Sequence, residues 1–246
     1  MPGKLPPFFE VGLSTDGLIA YSTVCSDCNR GGGGLFVGSY WSGSYTELQH
    51  GVVGGGAFLY NTQYLDVNDN GQVAVQSEYL PGYKRGVFVL EHAGEPLAQT
   101  ATAVDELQVG SQPRPAINNQ GEVAYILDKA QIWVGKPTPF GTPKEAQLFL
   151  DTSGPYASFE RVDIDNHGRV AFQARLDDGR VGVFVGPDPE AHKVIATGDQ
   201  LDRFTIGAIH IMGGLNQSHQ VAVVAGVEPM PDMHVMVLSN IPASPR

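Results

Sequence analysis

Three scarcities bound the chain before any motif is read. No apolar run approaches the roughly 18 residues that a membrane-spanning helix needs, and Met1-Pro2-Gly3-Lys4-Leu5-Pro6-Pro7 lacks the apolar stretch of a signal peptide. The expectation is a soluble chain without membrane insertion, equally compatible with a mature region whose leader has been removed. Bases are few: 15 Lys and Arg stand against 26 Asp and Glu, a formal charge of -11. Binding a polyanion requires a basic stripe that displaces counterions, so nucleic acid is excluded as an expected partner. Cysteine is limited to Cys25 and Cys28, too few for a disulfide-rich scaffold. Their spacing is open to a local disulfide, a redox dithiol or half of a zinc site. No second such pair exists and no βαβ pattern surrounds them, so a disulfide stapling the glycine-rich loop that ends at Gly34 is the preferred reading.

What the chain has in quantity is glycine and proline, 31 and 17, among only 17% charged residues. That composition belongs to many short strands joined by tight turns. The turns recur. Ser14-Thr15-Asp16-Gly17 precedes Ile19-Ala20-Tyr21, and Asn68-Asp69-Asn70-Gly71 precedes Val73-Ala74-Val75. Asn118 to Gly121 precedes Val123-Ala124-Tyr125, Asp165 to Gly168 precedes Val170-Ala171-Phe172, and Asn216 to His219 precedes Val221-Ala222-Val223. The turn-closing position falls at 17, 71, 121, 168 and 219, intervals of 54, 50, 47 and 51. A second apolar stretch follows in each repeat: Leu35-Phe36-Val37, Val87-Phe88-Val89, Ile132-Trp133-Val134, Val183-Phe184-Val185 and Val235-Met236-Val237, read as one register across all five.

Glycine at the closing position supplies positive φ, Asx residues bond their own backbone, and an alanine between larger apolar residues suits a strand covered on both faces. Five repeats of about 50 residues, each a four-stranded meander, predict an all-β fold: a five-bladed β-propeller of four-stranded antiparallel blades. The alternative is an open β-solenoid or a repeat fragment. The blades are expected as one domain over about 8–56, 57–105, 106–156, 157–203 and 204–246. Their innermost strands are expected at 8–13, 58–67, 107–117, 159–164 and 205–215, and Met1 to Pro7 is the candidate strand to complete the short fifth blade.

The pattern Asn-x-x-Gly-x-Val-Ala followed by Phe, Tyr or Val, as in Asn118 to Tyr125, resembles the tandem repeats of bacterial extracellular proteins, the HAF-like repeats. The resemblance covers nearly the whole chain. It implies architecture and an extracellular or cell-surface location, and it transfers no catalytic residue. Ser14 and His219 depart from the pattern, so their turns are expected to differ in shape.

Candidate sites are few. Asp66-Val67-Asn68-Asp69-Asn70-Gly71 matches the first half of a calcium loop, but the twelfth position is Ser77 where a bidentate Glu is needed, so a structural turn is favoured. Asp163 to Gly168 reads the same way. Calcium is the one cofactor considered; otherwise none is expected. His210, His219 and His234 share the last repeat, but their strand and turn positions place them at opposite ends of the blade, and no metal site is expected. Tyr40, Trp41 and Tyr45 sit in a Gly/Ser-rich loop suited to stacking on a sugar, with packing over the first blade as the competing reading. Asp105, Glu106, Asp128, Asp151, Asp177 and Asp178 lie near turns, and Asp199 and Asp202 are the acids singled out as channel or loop candidates. No nucleophile elbow, Walker loop or dinucleotide fingerprint is present. The leading expectation is a monomeric, non-catalytic extracellular module that binds a carbohydrate or protein ligand. The alternatives are a glycan-active hydrolase or lyase with acids around a central channel, and a structural repeat domain of a surface protein.

Overall fold

A computed structural model describes residues 8–14, 16–23, 35–39, 44–49, 58–80, 84–91, 102–107, 113–138, 145–216 and 218–240. Among them the regular structure is all strand, arranged in five four-stranded antiparallel meanders. The first sheet is β1 (Phe8–Leu13), β2 (Leu18–Thr23), β3 (Leu35–Ser39) and β4 (Ser44–Gln49). The second is β5 (Phe58–Val67), β6 (Gln72–Leu80), β7 (Lys84–Glu91) and β8 (Thr102–Leu107). The third is β9 (Ala116–Ile117), β10 (Val123–Leu127), β11 (Gln131–Gly135) and β12 (Gln147–Asp151). The fourth is β13 (Tyr156–Ile164), β14 (Val170–Leu176), β15 (Val181–Phe184) and β16 (Lys193–Ala196). The fifth is β17 (Gln200–Leu201), β18 (Phe204–Leu215), β19 (Gln220–Glu228) and β20 (Met230–Asn240). The chain forms two compact units, Met1–Tyr125 with Val134–Gln147, and Ile126–Trp133 with Leu148–Arg246.

The recurring turn explains the recurring residues. In the second repeat the Asn68 side-chain oxygen accepts the N–H groups of Asn70 and Gln72 at 3.1 and 2.9 Å, and Gly71 closes the turn at φ 76°. Asn118, Asp165 and Asn216 repeat the cap, and Ser14 Oγ accepts from Leu18 N–H at 3.1 Å. The two irregular turns keep the common shape, contrary to the sequence expectation. Ser14 and Gly17 make the same backbone bonds as Asn68 and Gly71, and His219 adopts φ 61° in the place of glycine.

Each turn sets the register of the strand behind it, and alternation then assigns faces. In the second unit, Phe172, Phe159, Phe184 and Tyr156 form a fully buried aromatic cluster with ring centroids 5.3–6.0 Å apart, and the Tyr156 hydroxyl donates to the Gly186 carbonyl. The opposite face of the fourth sheet carries Ala171, Val183 and Val185 into the fifth, against Ile206, Ile209, Leu215, Val221 and Val223. In the first unit the same alternation buries Leu65, Val67, Val73, Val75 and Phe88. Gly12 of β1 lies close enough to β5 that a Cβ there would stand 3.0 Å from Leu65 Cδ1.

Four sequence expectations are corrected. The innermost strand foreseen over 107–117 is, among the described residues, the two-residue β9, because Pro113 and Pro115 supply no ladder donor. The fifth sheet takes its fourth strand from β17, which pairs Gln200 with Thr205 beside β18; residues 1–7, the other candidate, lie outside the described residues. Strand β8 also runs past the boundary drawn at 105/106. The register of the second apolar stretch slips by one in the fifth repeat: Val237 opposes Val223, as Phe184 opposes Phe172 and Phe88 opposes Val75.

A side chain two residues before the turn ties strands of successive repeats together. Asp66 accepts the Ile117 N–H at 2.9 Å in the first unit, and Asp163 accepts the Leu215 N–H in the second. Burial dominates at Asp66 and pushes its pKa up to about 6, although the backbone donors of Ile117 and Val67 pull the other way. A folded pKa above the unfolded value means the folded state binds the proton more tightly. The contribution is complete below the unfolded pKa near 4 and is lost as pH rises through about 6. Asp66→Asn, which keeps an acceptor without the charge, should raise the melting temperature at pH 7.5. It should also flatten the change in stability between pH 4 and 7, as read by thermal unfolding across that range.

Candidate functional site

Several acids singled out in the sequence are held in turn architecture. Asp199 lies after the fourth sheet with one oxygen 2.8 Å from Lys193 Nζ and the other accepting the Ala196 N–H at 2.8 Å. Asp202 is exposed at the corner of the β17–β18 hairpin, at φ 54°. Asp151 caps Ser153, whose hydroxyl and N–H draw the carboxyl below its ordinary range, and the Arg180 N–H and guanidinium do the same for Asp178. Asp128 sits in an exposed turn at φ 52°. Tyr45 opposes Gly38 in the first sheet. Tyr40, Trp41, Cys25 and Cys28 lie outside the described residues, as do the side chains of Tyr45, Asp105 and Glu106. In both half calcium loops the first Asx of the turn directs its oxygen at its own N–H groups, the behaviour of a turn cap.

The histidines divide differently from the sequence expectation. His210 and His234 are brought together, ring centroids 4.6 Å apart, over Gly226 of the intervening strand β19. The missing side chain makes this possible, since a Cβ on Gly226 would stand 2.9 Å from His210 Nε2. His219 joins Asp165 and His167 instead. Asp165 is fully buried; its Oδ2 lies 2.9 Å from His219 Nδ1, 3.3 Å from Arg169 Nε and 4.0 Å from His167 Nδ1. The ligand atoms of Asp165, His167 and His219 fall within 4.8 Å of one another, and the two rings meet edge to face at 4.7 Å. Arg169 already balances the carboxylate and opposes a second cation in the same place. The cluster therefore acts first as a charge lock between two turns.

The repeat itself shows why this lock exists. The capping column reads Ser14, Asn68, Asn118, Asp165 and Asn216, so the fourth repeat alone places a carboxylate there. That repeat also supplies Arg169, and the fifth supplies His219 in place of glycine. A histidine at positive φ costs about 1 kcal/mol, which a hydrogen bond to a buried charge offsets. Asp165→Asn and His219→Gly should therefore be strongly non-additive, with a coupling of about 1 kcal/mol or more in urea unfolding. Additive effects would show that the two turns are not linked through this bond.

The first unit holds a different arrangement. Tyr64 and Arg114 occupy the same place in successive repeats, four residues before the turn, and both have left-handed backbones at φ 47° and 41°. Positive φ is a steric outlier for side chains this large, and such strain clusters at ligand sites. At Tyr64 a β-bulge between Gln63 and Leu65 produces it, while Arg114 lies between two prolines. The Arg114 guanidinium stands 4.7 Å from the centroid of the Tyr64 ring, and both residues are half-buried. Among the described residues Arg114 has no carboxylate partner. A guanidinium stacked on a ring keeps its edge donors in a planar fork that matches a carboxylate. Sequence reading missed this pair because neither residue belongs to a motif. The one available signal was a column of large or charged residues, Glu10, Tyr64, Arg114, Arg161 and Met212, four positions before each turn.

No protein-family model matches the sequence, and no curated protein matches it. Solved structures do. Prolyl oligopeptidase B from Galerina marginata is 9% identical, with a TM-score of 0.56 over 96% of this chain and 32% of that one. Oligogalacturonate lyase from Vibrio parahaemolyticus is 10% identical, with a TM-score of 0.53 over 94% of this chain and 65% of that one. The β-propeller domain of the Trilobed protease from Pyrococcus furiosus is 10% identical, with a TM-score of 0.47 over 94% of this chain and 78% of that one. Likeness at such identity concerns the fold alone: the chain is all-β and built of antiparallel sheets.

Proposed function

We propose that the five meanders are the blades of a β-propeller, and that the chain is a non-catalytic recognition module displayed outside the cell, taking a carboxylate-bearing carbohydrate at Tyr64 and Arg114. The observation that carries this reading is the half-buried guanidinium of Arg114, stacked on a ring and held by strained backbone without an acidic partner among the described residues. The aromatic face suits the apolar side of a sugar ring, and the free fork suits its carboxylate. A cationic spot in a chain of charge -11 is legible to an anion because salt screens charges beyond about 8 Å. The non-catalytic part of the reading is supported by the use of Asp199, Asp165 and Asp163 as structural acceptors. An extracellular location is supported by the resemblance of the repeats.

Calorimetry with uronic-acid oligosaccharides, neutral oligosaccharides of the same length and an acidic peptide tests the site. The acidic sugar should bind and weaken with added salt, and Arg114→Gln should reduce its affinity by about tenfold or more, the usual worth of a charge-assisted pair. Equal binding of neutral sugars, or an unaffected Arg114→Gln variant, would remove Arg114 from recognition. Preference for the acidic peptide would make the ligand a protein, and cleaved sugar in the cell would turn the reading to a hydrolase or lyase.

A further inference from the structure

The lock between the turns of the fourth and fifth repeats leaves one side chain unexplained. Asp165 and His219 make the bond, and Arg169 balances the charge. His167 is not part of it: its Nδ1 stands 4.0 Å from Asp165 Oδ2, beyond hydrogen-bonding reach, and its ring meets His219 edge to face at 4.7 Å. The same place in the other turns holds Asp16, Asn70, Gln120 and Ser218, so the turn itself needs no imidazole there. Three departures from the repeat therefore meet at one point. They are a carboxylate in the capping column, a histidine two residues on, and a histidine where the other repeats close with glycine. All three residues belong to the second unit.

Two imidazole nitrogens and one carboxylate oxygen are a donor set for zinc and its neighbours among the divalent transition metals. The ligand atoms of the three side chains already lie within 4.8 Å of one another. Bonds of about 2.0–2.2 Å to a single tetrahedral ion require donor atoms roughly 3.3 Å apart. Asp165 Oδ2 and His219 Nδ1 are inside that span at 2.9 Å, and rotation of the His167 side chain brings in the third donor. The carboxylate is preset for this use. Its Oδ1 accepts the N–H groups of His167 and Arg169 at 2.8 and 2.9 Å, which fixes the group with Oδ2 toward both rings. Calcium, which takes roughly six to eight oxygen ligands, does not suit this set.

We propose that Asp165, His167 and His219 form a binding site for a divalent transition metal of the zinc class, which clamps the turns of the fourth and fifth repeats together. His219 donates through Nδ1 in the lock and coordinates through the same nitrogen once its proton sits on Nε2. Water completes the coordination. Arg169 lowers the affinity without closing the site. Its Nε lies 3.3 Å from Oδ2, longer than the roughly 2.7–2.9 Å of a tight charge-assisted pair, so the guanidinium yields to an ion that two imidazoles also hold. The site is independent of any ligand at Arg114.

Calorimetric titration of zinc into the full chain, after treatment with chelator, tests the assignment. The chain used carries Cys25→Ser, Cys28→Ser and His234→Ala, which remove the cysteine pair and the His210–His234 pair as rival donors. A single zinc should bind and raise the melting temperature. His167→Ala lies outside the lock, so in chelator it should leave circular dichroism and melting temperature unchanged. It should weaken zinc binding by at least the roughly tenfold that loss of an outer-shell partner costs. Arg169→Gln should act in the opposite direction and tighten it. Absence of zinc binding overturns the proposal, as does zinc that binds the His167→Ala chain equally well. Zinc that binds no more tightly after Arg169→Gln places the ion away from Asp165 and overturns it too.

Discussion

The structure depends on one local constraint: a four-residue turn whose first side chain caps its own backbone and whose last residue stands at positive φ. Because the cap fixes which residue begins the next strand, it also fixes which side chains face each side of the sheet. The alanine always emerges three residues past the turn's end, and the flanking larger residues point the other way. Two sheets then approach closely on the alanine side, and the larger residues of the next sheet fill the space. His219 shows how strong the constraint is, since a residue with a Cβ adopts φ 61° where the other repeats place glycine.

Much of this was legible because turn chemistry is local. Asn-x-x-Gly followed by an apolar triplet encodes its own geometry within eight residues, and the fourth meander was read almost strand for strand. The departures occur where pairing is decided at a distance. Nothing around Gln200 distinguishes a fourth strand of one sheet from the edge strand of the next; only its hairpin with Thr205 decides it. The slip in β20 was invisible because Val235-Met236-Val237 fits the expected pattern as well as Met236-Val237-Leu238 does. His210 and His234 meet because Gly226 leaves space between them, and a glycine inside a strand does not announce which side chains will use that space.

The candidate site was the least legible part, for a physical reason. Strained backbone at Tyr64 and Arg114 contradicts local preference, so a reading built on preference passes over it, and the pair assembles across repeats 50 residues apart. The acids misled in the opposite direction. Asp199 attracts notice as a titratable group near a loop, yet both of its oxygens are occupied in shaping that loop. Acidic composition here measures in part how often the fold uses a carboxylate where an asparagine serves elsewhere, as the capping column shows at Asp165.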